Sequence, residues 1–413
     1  MADMAFHVRL LPGGSVTSVQ GFEGAGVAAG IKASGKLDLA LVRSTRPCTG
    51  AALFTTNLFK AAPVVYDQEA ILRNPTTQRG VVINSGCANA CTGERGLHDA
   101  EGMAAALAHH LGGAAQDYLV MSTGVIGQPL PMDKVLAGIE QAVPALAGGV
   151  DAGHQAALAI MTTDTVPKEV AVEVSGEGVS FIIAGMAKGA GMISPNMATM
   201  LATITTDARI GPLPARAALV EAVDESLNMI TIDGDMSTND TVLLLANGMA
   251  EMPAISSTSS PLYQAFLAGL KEVAVSLAKN LVRDGEGATR FIEIAVTGAR
   301  NRAEARQVAM SVAKSVLFKT AIYGQDANFG RIVCAIGYAG VPLDPGSVRV
   351  WMGDLELVRD GGPYQVDEGR ASEILAEREI SVRIDLGLGD GEATVWTSDL
   401  SHAYVDINAH YRT

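Results

Sequence analysis

A chain of 413 residues that is 48% apolar and only 18% charged can bury a large core, and it points to two or three domains rather than one. Its 30 basic and 44 acidic residues give a formal charge of -14, which argues against a phosphate-tracking surface and so against a nucleic-acid partner. The same acidic balance mildly favours a cationic substrate such as a diamino acid.

Taken in chain order, the opening MADMAFHVRLLPGGSV has no basic stretch followed by an unbroken apolar run, so no secretion signal is expected. Gly24, Gly26 and Ala29 fit a dinucleotide fingerprint loosely, but the VTSVQGFE before them is not a buried strand, and a glycine-rich turn is expected. A strand over Gly80–Asn84 leads to Cys87 and Cys91, a C-x3-C pair without the second pair a zinc site needs. With Cys48 and Cys334 these make four cysteines, too few to staple the chain, so reduced thiols in a cytoplasmic protein without a metal or resident cofactor are expected.

Apolar spacing predicts helices over Asp99–Leu111, Met132–Leu146, Gly153–Met161, Pro214–Leu227 and Pro261–Val282. Strands are predicted over Tyr118–Met121, Val179–Ala184, Thr199–Thr206 and Thr241–Leu245. The acidic stretch DGDMSTND (Asp233–Asp240) fails as a calcium loop, because Thr238 and Leu244 stand where Gly and Glu are required. Glycines in NLVRDGEGAT (Asn280–Thr289) end the long helix, and the main boundary is placed there, giving domains 1–285 and 286–413. Beyond it come a strand over Arg290–Val296, a helix over Arg302–Leu317 and a strand over Ser347–Val358. ISVRIDLGLGDGEATVW (Ile380–Trp396) then alternates on both sides of Gly387–Gly391, a hairpin signal. No charge-free run reaches the roughly 18–20 residues of a membrane span. The expectation is a mixed α/β, membrane-free protein.

No G-x-S-x-G elbow or phosphate-binding loop occurs. What remains is GMAKGAGMISPNMATMLATITTDARI, Gly185–Ile210, in which a turn-like segment delivers Thr199 to the start of an apolar strand. That placement suits backbone self-cleavage, in which the Thr199 hydroxyl attacks the Ala198 carbonyl and water then releases a free α-amine. Such an amine, with a pKa near ~8, can act as general base for its own hydroxyl, so no histidine or aspartate triad is required. On spacing alone, Thr199 reads as readily as a packing residue of a half-buried strand.

Nine motifs in order carry a resemblance: TTNLFKAAPV (Thr55–Val64), INSGCANACTG (Ile83–Gly93), MSTGVIG (Met121–Gly127), IMTTDTVPK (Ile160–Lys168), MAKGAGMISPNMATML (Met186–Leu201), ITIDGDMSTNDT (Ile230–Thr241), LVRDGEGATRF (Leu281–Phe291), LFKTAIYGQDANFGRI (Leu317–Ile332) and DLSHAYVDINAHYRT (Asp399–Thr413). Through them the chain closely resembles the ornithine acetyltransferase family of arginine biosynthesis, also called bifunctional glutamate N-acetyltransferases. The resemblance implies two sheets sandwiched by helices, an αββα arrangement shared with self-processing aminopeptidases, plus a smaller C-terminal α/β domain. It also implies cleavage between Ala198 and Thr199 into pieces of 198 and 215 residues (413 - 198 = 215) that stay associated and dimerise further.

In such an enzyme Thr199 takes the acetyl group from N2-acetylornithine as an ester and passes it to L-glutamate. The Thr123 hydroxyl and Gly124 N–H serve as oxyanion donors, and Thr162, Lys188, Thr199, Glu286, Asn408 and Thr413 contact substrate. Lys188 suits an α-carboxylate and Glu286 the δ-ammonium of ornithine. Locally, S-T-G is also an ordinary strand-to-turn junction, Glu286 a solvated turn acid and Lys188 a plain surface lysine. Cys87 stands where relatives usually carry Asn, and Ala327 with Phe329 replaces Pro and Trp. Acetyl-CoA as an alternative donor stays open. Two rivals also stay open, a self-processing amidase or aminopeptidase and a binding protein that never cleaves.

Overall fold

The computed structural model describes residues 6–194, 200–364 and 367–410. Ala198, Thr199 and Thr413 lie outside the described residues. In chain order the strands are β1 (His7–Leu10), β2 (Phe22–Val27), β3 (Leu39–Phe54), β4 (Gln78–Cys87), β5 (Tyr118–Val125), β6 (Lys168–Gly176), β7 (Val179–Lys188), β8 (Leu201–Thr206), β9 (Ile230–Thr231), β10 (Thr241–Ala246), β11 (Phe291–Ala299), β12 (Arg349–Met352), β13 (Leu355–Arg359), β14 (Gly362–Pro363), β15 (Glu379–Asp385) and β16 (Gly391–Ser398). The helices are α1 (Ala62–Arg73), α2 (Gly93–Leu111), α3 (Met132–Ala142), α4 (Val150–Ile160), α5 (Pro212–Asp224), α6 (Pro261–Arg283), α7 (Arg302–Ala313), α8 (Val316–Tyr323), α9 (Phe329–Gly337), α10 (Glu368–Ala376) and α11 (His402–His410).

Nine strands form one sheet in the order β1-β6-β7-β8-β10-β3-β4-β5, with β2 also paired to β3. The 16-residue β3 joins its two halves: residues 39–43 pair with β4, and residues 49–54 pair with β10. Its middle, Arg43–Cys48, carries the register break and exposed side chains, which is where the strand leaves one half for the other. The two-residue alternation of each strand then assigns its faces. Ala40, Val42, Val81, Ile83, Leu119 and Met121 of one half share a cluster with Ala171, Ala184, Met186, Leu243 and Leu245 of the other, so the two halves face each other. The intervening residues point outward: Leu41, Val82 and Val120 pack under α2 and α3, and Val172, Ile183, Ile204 and Leu244 under α5 and α6. The result is the expected helix, sheet, sheet, helix order.

Alanine-rich α4 wedges into the inner cluster against β2. This explains the glycines that weakly suggested a nucleotide loop: a Cβ on Gly26 would lie 2.1 Å from the Gln155 carbonyl oxygen, so only glycine lets the helix approach.

The second sheet has seven strands in the order β14-β13-β12-β15-β11-β16-β9. Strand β9, which precedes the expected 285/286 boundary, pairs with β16 at Trp396 and Thr397, and a single apolar cluster runs from α5 and α6 through this sheet to α7 and α9.

The expected hairpin over Ile380–Trp396 is corrected. β15 and β16 flank β11 and do not pair with each other: β11 is parallel to β15 and antiparallel to β16. The glycine-rich turn crosses the end of β11, where Leu386 N–H donates to Thr297 O (3.0 Å) and Leu388 N–H to Gly298 O (2.6 Å). A turn signal reports that the chain reverses, and it is blind to a third strand slipping between the arms. Two further elements divide. Arg302–Leu317 breaks at Ser315, whose hydroxyl accepts from Phe318 N–H to cap α8. Ser347–Val358 reverses at Gly353 (φ 58°) into β12 and β13. Among the described residues no helix is long and apolar enough to cross a membrane.

Candidate active site

Six of the residues named from sequence, Thr123, Gly124, Thr162, Lys188, Glu286 and Asn408, line one cavity of about 120 Å³. They come from the ends of β5 and β7, the loop after α4, the loop after α6, and α11, and Asn239 and Asp240 add the approach to β10. Met200 and Leu201 form part of the wall, so the segment that follows position 199 begins at this cavity.

The S-T-G junction is shaped by its neighbour. β4 runs parallel to β5, and the register breaks where Gly86 and Cys87 meet Thr123–Val125. Gly124 has φ 128°, and a Cβ there would sit 2.3 Å from the Gly86 carbonyl carbon, so backbone approach and dihedral both demand glycine. The Lys188 ammonium donates to Thr123 Oγ1 at 3.3 Å. A lysine ammonium can only donate, so the Thr123 hydroxyl proton is left to point at another acceptor, as an oxyanion donor requires.

Lys188 is buried rather than the surface lysine that local sequence allowed. Burial depresses its pKa and Lys168 adds to that, while Asp164, Glu286 and Asp240 work in the opposite direction. Behind it lies an ion network that the sequence reading did not single out. The Lys168 ammonium, 1% exposed, donates to Asp164 Oδ1 and Asp284 Oδ2, each at 2.5 Å. Asp164 also accepts from Thr162 N–H (2.9 Å) and Gly189 N–H (2.7 Å), tying together two walls of the cavity. Burial would raise its carboxyl pKa, but Lys188, Lys168 and the Thr162 N–H hold it far below the usual aspartate range.

The opposite wall is assembled by the chain's tail. Asn408 Nδ2 donates to Glu286 Oε2 at 2.7 Å, and Glu286 N–H donates to Ala190 O. The carboxyl of Glu286 occupies the space a Cβ on Gly191 would take, 2.3 Å from Oε2. Ser401 Oγ donates to Gly287 O, and Asp399 accepts from Thr289 and Arg290 N–H, so the DGEGAT loop and α11 hold each other. The acidic stretch that failed as a calcium loop has a different task. Asp233 accepts from Met192 and Ile193 N–H (2.5 and 2.9 Å) and from Tyr404 OH (3.3 Å).

Lys319 is fully buried under this tail, donating to Thr397 Oγ1 (2.9 Å) and to Ser398 O. Burial pulls its pKa down to about 7 against the opposing charges of Asp399 and Asp233. An unfolded lysine titrates at 10.5, so between about 7 and 10.5 the unfolded chain binds the extra proton and stability rises with pH. Urea midpoints measured from pH 7 to pH 10 should climb in the wild type, and Lys319→Met should flatten that slope.

Compared with known proteins, residues 23–413 match the model of the ArgJ family. The chain belongs to the ArgJ family. The arginine biosynthesis bifunctional protein ArgJ of Symbiobacterium thermophilum is 50% identical over 405 residues, covering 97% of this chain and 99% of that protein. Its counterpart in Geobacter sulfurreducens is 49% identical over 399 residues, covering 96% and 100%. Among solved structures, ArgJ from Bacillus halodurans aligns with 51% of this chain and 97% of its own at 40% identity and TM-score 0.49. The ornithine acetyltransferase of Mycobacterium tuberculosis, solved with ornithine, aligns with 46% and 100% at 47% identity and TM-score 0.42.

The sequence reading of this ArgJ-family chain missed Asp164, Lys168, Asp284, Asn239 and Asp240. Asn239 Nδ2 donates to Ala88 O (2.6 Å) and Ser122 O (2.8 Å), fastening the approach to β10 onto β4 and β5. Most of them lie within IMTTDTVPK and ITIDGDMSTNDT, where an acidic or amide residue among threonines looks like an ordinary turn residue.

Proposed function

We propose that this chain moves the acetyl group of N2-acetylornithine to L-glutamate through an acetyl ester on Thr199, after cutting itself between Ala198 and Thr199. The observation that carries the reading is the convergence of Thr123, Gly124, Thr162, Lys188, Glu286 and Asn408, distant in sequence, on one cavity with charges of both signs. The name shared by its relatives, arginine biosynthesis bifunctional protein ArgJ, points the same way.

In this scheme the Thr199 α-amine takes the hydroxyl proton as Oγ attacks the acetyl carbonyl, and Thr123 with Gly124 N–H receives the oxyanion. The proton passes to the leaving ornithine nitrogen as the C–N bond breaks. Glutamate then attacks the ester and regenerates Thr199. Lys188 answers the α-carboxylate that both amino acids carry, and Glu286 the ornithine δ-ammonium. The two fragments remain together and the pair dimerises, no cofactor resides in the site, and acetyl-CoA serves as a second candidate donor.

Product analysis tests the reading. A transferase forms N-acetylglutamate only when glutamate is supplied, whereas acetate released regardless of glutamate would identify a hydrolase. Acetyl-CoA and N2-acetylornithine compared as donors decide between the bifunctional and recycling forms. Removal of residues 408–413 deletes the Asn408 partner of Glu286. A hydrogen bond to a charged group is worth about 1.5–3 kcal/mol, so kcat/KM should fall roughly ten- to a hundredfold. Unchanged steady-state kinetics of the truncated chain would remove the tail from the site.

A further inference from the structure

Among the described residues of the cavity wall, Asp240 is the one carboxyl without a substrate role. It is 2% exposed, and among the described residues its buried Oδ2 has no hydrogen-bond partner. Its place in the sheet gives that vacancy meaning. β10 pairs in parallel with β8, Thr241 lies opposite Leu201, and Thr241 N–H donates to Met200 O at 2.9 Å. Asp240 is therefore level with Met200, the residue that follows Thr199 in sequence. We infer that Asp240 is a positioning residue for the α-amine of Thr199, accepting one N–H so that the lone pair is left for the hydroxyl.

This rests on the Thr199 reading above and adds the partner that reading lacks. An amine that serves as base must be oriented, and it becomes an ammonium each time it takes the hydroxyl proton. A carboxylate beside it supplies both services, holding the N–H direction and countering the new charge until the proton moves to the leaving nitrogen. Asp240 keeps its own protonation state throughout that transfer. The other titratable groups on the described cavity wall are Lys188 from β7 and Glu286 from the loop after α6. Burial holds the Asp240 carboxyl well above the ordinary aspartate range, against the Ser237 hydrogen bond and Lys188, which favour its charged form. An added amine would shift the balance further toward the carboxylate.

Asp240→Asn keeps the shape and removes the charge. Intact mass spectrometry should show it cleaved like the wild type. Its kcat for acetyl transfer should drop about tenfold or more, the scale of a misdirected base, with KM changed by less than about twofold. The acid limb of its kcat against pH should move down by roughly 1–3 units, because the ammonium has lost its counter-charge. Asp240→Glu should return the limb toward the wild-type position. A kcat and acid limb unchanged in Asp240→Asn would overturn the assignment. So would a variant that accumulates uncleaved, since no amine exists before cleavage. A wild-type chain that is itself uncleaved would overturn the Thr199 reading instead.

Discussion

Thr199→Ala is expected to remain one 413-residue chain and to transfer no acetyl group. Both outcomes follow from a single missing atom. Without the hydroxyl there is nothing to attack the Ala198 carbonyl, so no ester forms, no α-amine is released, and the group that would carry the acetyl ester is absent as well. The cavity keeps its oxyanion donors and its charges, so binding persists while turnover falls by roughly 10⁴-fold or more, as when a nucleophile is removed from an otherwise intact site. Intact mass is the measurement of choice, because the expected pieces of 198 and 215 residues run close together on a gel. Thr199→Ser retains a hydroxyl and should still process. Two fragments from Thr199→Ala would assign cleavage to another residue or another protein.

Lys168→Met, in the ion network behind the cavity wall, should be the most destabilising of the proposed substitutions. It leaves the Asp164 and Asp284 carboxylates without the buried ammonium that both share. Breaking a buried pair from one side costs about 3–5 kcal/mol, because the orphaned charge stays where water cannot reach it. The same change loosens the Thr162 and Gly189 contacts of Asp164, so kcat/KM should fall with stability. Urea denaturation reads the first effect and steady-state kinetics the second. The double variant Lys168→Met/Asp164→Asn should recover part of the loss, since it removes one stranded charge along with its partner. A midpoint shift worth under about 1 kcal/mol would mean that these carboxylates are solvated in the folded chain.

The layers were legible from sequence because alternation and helical spacing are local: Leu243 and Leu244 declare opposite faces of β10 without reference to anything distant. Strand β3 was not legible, since Arg43, Ser44, Thr45, Arg46 and Pro47 interrupt its apolar run at the point where it passes between the halves. The arms of Ile380–Trp396 were found while their pairing was not, because β11 lies some 80 residues upstream and leaves no mark on the turn that crosses it. In the site, Lys188 and Glu286 entered through family resemblance, and their surroundings could not. An aspartate in MTTDT is a turn residue by composition, and only the fold makes it the acceptor of backbone groups from two walls. Asp240 stays hidden for the same reason, since nothing in STNDT announces that it lines the cavity with one buried oxygen that has no partner among the described residues.

If the chain is cut between Ala198 and Thr199 as proposed, the strand order of the large sheet decides what becomes of the two pieces. β7 belongs to the first, β8 and β10 to the second, and β3 to the first again. The later fragment thus contributes two neighbouring ribs in the middle of a sheet whose flanks come from the earlier one. Neither half can leave without tearing open ladders on both sides of those ribs, and either half made alone would present raw strand edges of the kind that aggregate. Cutting this chain multiplies its ends without multiplying its folding units, so mixing separately produced fragments should yield enzyme only when both are refolded together.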